Sequence, residues 1–288
     1  MSTRGSVGGE SVAVFLRRFR RHTSGMVGFA IVLLICLAVL AAPVLTRGAD
    51  PLAVDLANSA QRPSAQFPLG TDEMGRDLLT RVIAGAPISL SIAVVGVLLA
   101  MIPGVWIGLL AGFYEGRIGG WLMRSIDALV AFPRILLAMV IISIAGTGIS
   151  QLMFAVGLSS IPIFARVMFV TVQSVRHRDF VQAAAALGAR DRWILWRHIL
   201  PNAFAPILVQ ASLGIATSLQ IAAGLSFLGL GPPPPSPEWG AIIDGGRTLI
   251  RQQPMVIIAP GLAIAMTVLG FNLLGDGLRD TLDPRLKR

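Results

Sequence analysis

The sequence predicts an all-α, polytopic membrane protein with about six transmembrane helices. Three observations carry this expectation. First, 54% of the 288 residues are hydrophobic and only 14% are charged, against about 25% charged in soluble domains. A water-soluble fold of this length could not hide so much apolar surface. Second, the apolar residues gather into charge-poor runs long enough for helices of about 20 residues, the length that crosses a hydrocarbon core about 30 Å thick. Third, the arginines between those runs alternate in density from one loop to the next, the asymmetry that orients membrane helices.

The elements follow in order. Arg17, Arg18, Arg20 and Arg21 precede an uncharged stretch from His22 to Thr46. A basic start before an apolar run also fits a signal peptide, but this run is too long and further spans follow. Helix one is expected at about Gly25 to Leu45, after a cytoplasmic segment 1–24 and at the head of a membrane domain 25–288. Residues 46–80 hold Pro51, Pro63 and Pro68 and read as an outside loop. Helix two is expected at about Ile88 to Ala111, with Pro87 just ahead of it, where a missing N–H costs little, and Pro103 kinking it. Ser125 to Val170 is apolar except for Asp127, Arg134 and Arg166, and is too long for one span. Gly146-Thr147-Gly148 is a turn signal, giving helices at about Ile126 to Ala145 and Ser150 to Val170. This hairpin puts Arg134 and Arg166 at one depth near the cytoplasmic side, where long side chains reach the interface; Asp127 reads as solvation of the same end. Residues 172–204 are arginine-rich and face the cytoplasm. Helix five is expected at Ala205 to Leu230. The run Pro232 to Pro235 reads as a stiff extended spacer and Trp239 as part of an outside loop. Helix six is expected at Pro254 to Leu274, its end capped and anchored by Asp276, Arg279, Asp280 and Asp283.

With the amino end inside, the cytoplasmic segments hold 16 Lys and Arg and the outside segments six, with Arg134 and Arg166 completing the total of 24. Both termini are therefore expected in the cytoplasm. The net charge of +9 comes with no contiguous basic stripe, which argues against a nucleic-acid partner. The only lysine is Lys287, so the Gly-x-x-x-x-Gly-Lys loop that cradles nucleotide phosphates is absent and the chain cannot itself be an ATPase. Cys36 has no second cysteine to pair with, and His22, His177 and His198 are too scattered to suggest a metal site. No HExxH, CxxC or GxSxG pattern is present. The chain is expected to be non-catalytic and to hold no cofactor.

The most informative stretch is Asp179 to Asn202, DFVQAAAALGARDRWILWRHILPN. Ala183 to Ala186 favour helix, Gly188 suits a carboxyl-terminal cap, and Arg190 to Leu200 forms a second helix that Pro201 ends. Trp193 and Trp196 suit a membrane interface. Residues alone leave this as an amphipathic interfacial hairpin with no named partner. Gln182-Ala183-Ala184, three residues, then Gly188 nevertheless resembles the EAA loop of ABC importer permeases. The departure is Gln182, where that family often has glutamate. The resemblance implies that Phe180, Gln182, Ala183, Ala184, Leu187 and Gly188 form a coupling helix that docks on an ATPase.

Further stretches resemble the peptide and nickel branch of that family: Leu69 to Asp77 (LGTDEMGRD), Leu225 to Gly231 (LSFLGLG), Pro237 to Gly240 (PEWG) and Asn272 to Pro284 (NLLGDGLRDTLDP). Together they span most of the chain and favour the C-type subunit of dipeptide or oligopeptide importers. The resemblance implies a type I, binding-protein-dependent permease fold in the inner membrane. It also implies a second permease subunit in a heterodimer, two ATP-binding cassette subunits that hold ATP and Mg, and an extracytoplasmic substrate-binding protein. Asp72, Arg76 and Asp77 are expected to pair with one another and cap a short helix outside the membrane, or to contact the binding protein or the transport pathway. The rival readings are a nickel or other small-solute permease, a secondary transporter, which needs intramembrane ionisable groups for coupling ions, and a membrane enzyme.

Overall fold

The structure, a computed structural model, describes residues 7–46, 48–114 and 116–282. It is helical throughout, with no strand among the described residues beyond one isolated bridge between Thr71 and Asp77. Helix α1 (Val7–Arg21) leads into α2 (Thr23–Leu40) and the four-residue α3 (Ala42–Leu45). The first expected span therefore stops earlier than Leu45. Pro43 has no N–H to give to Val39, so the apolar run breaks at Ala41 and resumes as a separate short turn.

Helix α4 (Leu78–Phe113) has 36 residues, about 54 Å at 1.5 Å per residue, far more than a bilayer requires. It begins ten residues before the expected Ile88 because Asp77 caps it, its carboxylate accepting from the Thr80 N–H at 3.0 Å. Pro87 consequently lies inside the helix, not ahead of it. Helices α5 (Arg117–Val130) and α6 (Arg134–Ala145) meet at 87°. The single helix expected over Ile126 to Ala145 does not form. Pro133 bars Phe132 from the α conformation and takes the cap position of α6 itself. Helices α7 (Ile149–Leu158) and α8 (Ile161–Arg176) form one bent span interrupted at Ser159 and Ser160, with Pro162 in the first turn of α8.

The short α9 (Asp179–Ala186) precedes α10 (Asp191–Ile194), which runs through a π-helical turn, Leu195–Ile199, into α11 (Leu200–Leu225) and a second π turn, Ser226–Leu230. Pro201 therefore does not end the helix as expected. The wider turn lets Leu200 N–H bond the Leu195 carbonyl, and Asn202 Nδ2 donates to the His198 carbonyl at 2.6 Å, so the helix runs on past Pro201. Helix α12 (Trp239–Gly245) and the long α13 (Met255–Leu282) complete the fold. The sixth expected helix thus continues through Asp276, Arg279 and Asp280. Asp280 accepts from His22 Nε2 at 2.7 Å, tying the end of α13 to the start of α2. Asp283 lies outside the described residues. Among the described residues, five helical stretches are long and apolar enough to cross a membrane, or six when α5 and α6 count as one bent span.

α4 is the centre of the bundle. Gly96, Ala100, Gly104, Gly108 and Gly112 recur every four residues along it and face α7 and α8. A β-carbon on Gly108 would stand 2.3 Å from the Ala165 carbonyl oxygen. Lipid tails are as apolar as the side chains, so helix association there rests on close van der Waals contact, which small residues permit. The same device joins α2 to α13, where Gly25 meets Gly277 and Gly28 meets Gly270 and Leu274. A cluster of Leu109, Phe113, Met168, Val172, Ile194 and Ile199 closes the end of α4 nearest α9; Ala86, Trp239, Ile242 and Val256 pack around its opposite end.

Candidate functional site

At the carboxyl end of α4, α9 and α10 form a hook outside the bundle. Helix α9 stops in a Schellman cap: Ala189 N–H bonds the Ala184 carbonyl at 3.1 Å and Gly188 N–H bonds the Ala185 carbonyl at 3.0 Å. Gly188 has φ +79°, the left-handed region, and a β-carbon there would meet nothing within 4 Å. The residue is glycine for its backbone and not for want of space. Gln182, Ala183, Leu187 and Gly188 are exposed and Ala184 is half-buried. Leu187, at the tip, is 88% exposed; a leucine left this open has no packing role within its own chain. Phe180 is partly exposed, its ring 5.7 Å from that of His198, which stands edge-on to Trp193 at 4.7 Å.

Two features of this hook were not foreseen from sequence. Val181, 3% exposed, is the peg that pins α9 into the cluster around Phe113 and Ile199. His198 is the brace between the two arms. Their signals are weak: Val181 is one valine beside an alanine run, and His198 finds its partners only through the π turn.

The opposite end of α4 carries a buried polar network. Asp72 is 5% exposed. Its carboxylate accepts from the Met74 and Arg76 N–H groups at 2.9 and 3.0 Å and from Arg76 Nε at 2.7 Å, and Arg81 Nε lies 3.3 Å away. Arg81, itself buried, donates to the Pro51 carbonyl at 3.0 Å. Gly75, at φ +72°, passes so close to Asp55 that a β-carbon would sit 1.7 Å from its carbonyl oxygen, which requires glycine at that turn. The expected pairing of Asp72 with Arg76 is present. Asp77 is a separate matter: it caps the long α4, not a short outside helix.

This network extends to residues the sequence reading left unassigned. Glu238 is fully buried, accepts from Ala241 N–H at 2.8 Å, and receives the Ser89 hydroxyl at 3.2 Å. Ser89 in turn accepts from the Trp239 N–H at 3.0 Å, and the Trp239 indole donates to the Val82 carbonyl at 2.8 Å. Trp239, read as loop, is thus an anchor buried against α4. Gln253 donates to the Gln61 and Leu69 carbonyls at 2.8 and 2.9 Å. The three loops around residues 51–77, 232–238 and 246–254 are stitched to the first turns of α4.

Between the two ends, Arg134 and Arg166 line one cavity of about 380 Å³ beside the break in each bent helix. Arg166 bonds Asp127 at 2.6 Å. Arg134 donates to the Ser160 hydroxyl.

A bundle of five to six helices long and apolar enough to cross a membrane, knitted at one end and bearing an exposed hook at the other, defines a multi-pass membrane protein. Comparison with known proteins gives the family. Residues 104–288 match the binding-protein-dependent transport system inner membrane component, and residues 12–63 match the N-terminal transmembrane domain of oligopeptide transport permease C. The dipeptide transport system permease protein DppC of Alkalihalophilus pseudofirmus is 40% identical over 94% of this chain and 89% of its own length. The glutathione transport system permease protein GsiD of Pectobacterium atrosepticum is 43% identical over 95% and 91%. Among solved structures, the inward-facing MetNI methionine ABC transporter shares the fold at a TM-score of 0.57 and 18% identity, over 72% of this chain and 97% of that one. The chain belongs to the inner-membrane permeases of binding-protein-dependent ABC transport systems.

Proposed function

We propose that this chain is one of two permease subunits of an ATP-driven importer that moves short peptides across the inner membrane. The observation that carries the reading is the hook: Leu187 and its exposed neighbours stand outside the bundle on a helix that Val181 fixes to the spanning helices. A push on the hook is thereby passed to α8, α10 and α11. One of two ATP-binding cassette subunits docks on Phe180, Gln182, Ala183, Ala184, Leu187 and Gly188, and the pair hold the ATP and Mg. The hook end and both termini lie in the cytoplasm, in keeping with the 16-to-6 distribution of Lys and Arg. Asp72, Arg76 and Asp77 shape the extracytoplasmic face on which a binding protein delivers substrate, with Glu73 and Met74 exposed at its turn. Alternating access follows when nucleotide binding draws the ATPases together and rocks the two permease subunits. The names of the relatives, dipeptide and glutathione permeases, support a peptide substrate over nickel.

The test is reconstitution in liposomes with the neighbouring subunits. The full complex takes up radiolabelled dialanine with ATP; the chain alone neither hydrolyses ATP nor moves peptide. Uptake by the purified chain driven by a proton or sodium gradient would establish the secondary-transporter reading instead.

A further inference from the structure

We propose that the cavity beside Arg134 is a subsite for the carboxylate of the substrate as it crosses the membrane. This rests on the peptide-importer reading above. The cavity forms where two spanning helices are broken at the same place, α5–α6 at Pro133 and α7–α8 at Ser159 and Ser160. Its volume of about 380 Å³ falls in the range of small-molecule sites. Its walls are mostly apolar, from Leu129, Phe132, Leu137 and Ile163, with Arg134, Arg166 and the two serines as its polar groups. Such a lining suits a small, largely apolar molecule that brings one anionic group to Arg134.

The charge accounting selects the ligand. Asp127 is the carboxylate of this region, and Arg166 occupies it at 2.6 Å. Arg134 has a hydroxyl for its partner, Ser160, and its Nε is buried without an acceptor. A cation held at membrane level facing a hydroxyl is costly unless an anion joins it. Every linear peptide with a free carboxyl terminus brings one, whatever its side chains, and a guanidinium receives a carboxylate through two parallel hydrogen bonds. A lipid phosphodiester offers similar chemistry, and the phosphatidylglycerol and dialanine arms of the experiment separate the two sources.

The experiment uses the full permease–ATPase complex in nanodiscs of zwitterionic lipid. Cys36 is replaced by serine, and Ile163→Cys, on the cavity wall and 41% exposed, is labelled with a neutral maleimide. Dialanine slows labelling several-fold, its carboxyl-terminal amide does not, and Arg134→Gln abolishes the protection. In parallel, Arg134→Gln lowers dialanine uptake by the complex about 10- to 100-fold, the loss expected for one charge-assisted hydrogen bond, and Arg134→Lys restores part of it. Equal protection by acid and amide, protection that survives Arg134→Gln, or unchanged uptake by that variant overturns the proposal. Protection by phosphatidylglycerol but not dialanine assigns the cavity to lipid and overturns it as well. If the wild-type complex moves no peptide at all, the importer reading fails; if it moves dialanine while Arg134→Gln is silent, the subsite alone fails.

Discussion

Gly188→Val tests whether the hook couples to an ATPase. At φ +79° the backbone is left-handed, and a residue with a β-carbon held there costs about 1–2 kcal/mol, with a β-branched side chain fitting worst. Nothing lies within 4 Å of the new β-carbon, so the cost is backbone strain alone. Relief of that strain breaks the two cap hydrogen bonds from Gly188 and Ala189 and swings Leu187 out of position. At about 1.4 kcal/mol per tenfold, the population of the native hook falls roughly 5- to 30-fold. The spanning helices are untouched, and Val181 still anchors α9, so membrane levels are expected to match wild type. Gly188→Asn is the control, because asparagine enters the left-handed region readily. The assay is dialanine uptake and substrate-stimulated ATP hydrolysis in proteoliposomes of the full complex at matched protein. The expected result is joint loss of both activities in Gly188→Val, by about tenfold, and near-retention in Gly188→Asn. Wild-type rates of both in Gly188→Val, or equal loss in the two variants, would refute the argument that hook geometry carries the coupling.

Gly108→Leu should do the opposite, removing the protein and not merely its activity, because its β-carbon meets the Ala165 backbone at 2.3 Å; membrane abundance by immunoblot should fall severalfold, while Ile102→Leu on an exposed face of α4 should leave it unchanged. Glu238→Ala strands the Ser89 hydroxyl and the Ala241 N–H in a buried place, at about 1–3 kcal/mol each. Thermal unfolding of the purified complex should shift down by several degrees, and Glu238→Gln, whose one carbonyl oxygen still accepts from the Ala241 N–H while its amide donates to the Ser89 hydroxyl oxygen, should recover part of the loss. Reporter fusions after Ser64 and Pro235 should read extracytoplasmic and a fusion at Arg288 cytoplasmic; an outside reading at Arg288 would reverse the assigned orientation.

The number of spans was legible because lipid imposes one simple demand, about 20 apolar residues per crossing, and charge-poor runs announce it. Their ends were not. Asp77 capped α4 ten residues before the apolar run justified a start, and one proline gave opposite outcomes at two sites. Pro133 broke its helix into an 87° corner, while Pro201 was carried through by a π turn and the Asn202 side chain. Local sequence is nearly silent on which will happen, because the answer depends on whether neighbouring groups take up the freed carbonyls. The same limit divided the functional residues. The alanine run and Gly188 encode the hook through local propensity and a single backbone angle, so it could be read directly. Asp72 and Arg76 are four residues apart and could be paired on paper. Arg81, Glu238 and Gln253 could not, since their partners lie far off in the chain: Ser89, inside α4, is 149 residues from Glu238, Gln61 is 192 residues from Gln253, and Pro235 is 154 residues from Arg81.

That difference in legibility tracks a difference in mechanical demand. On the coupling proposal, a hook that moves with a partner needs an exposed surface and one fixed backbone turn, both local properties. The opposite end receives no such push from its own chain, and its loops are held by buried, long-range hydrogen bonds whose members are individually unremarkable in sequence. Arg134 falls between these cases. It was visible as a charge in an apolar run, yet its lack of an acidic partner emerged only when Asp127 was seen committed to Arg166. An importer of charged substrates must compensate that charge within a low-dielectric wall, and a permanently neutralised arginine could not do so. The pairing of Asp127 with Arg166, and not with Arg134, leaves Arg134 facing a hydroxyl in the cavity, and on the subsite proposal this is the cation that meets the substrate's carboxylate.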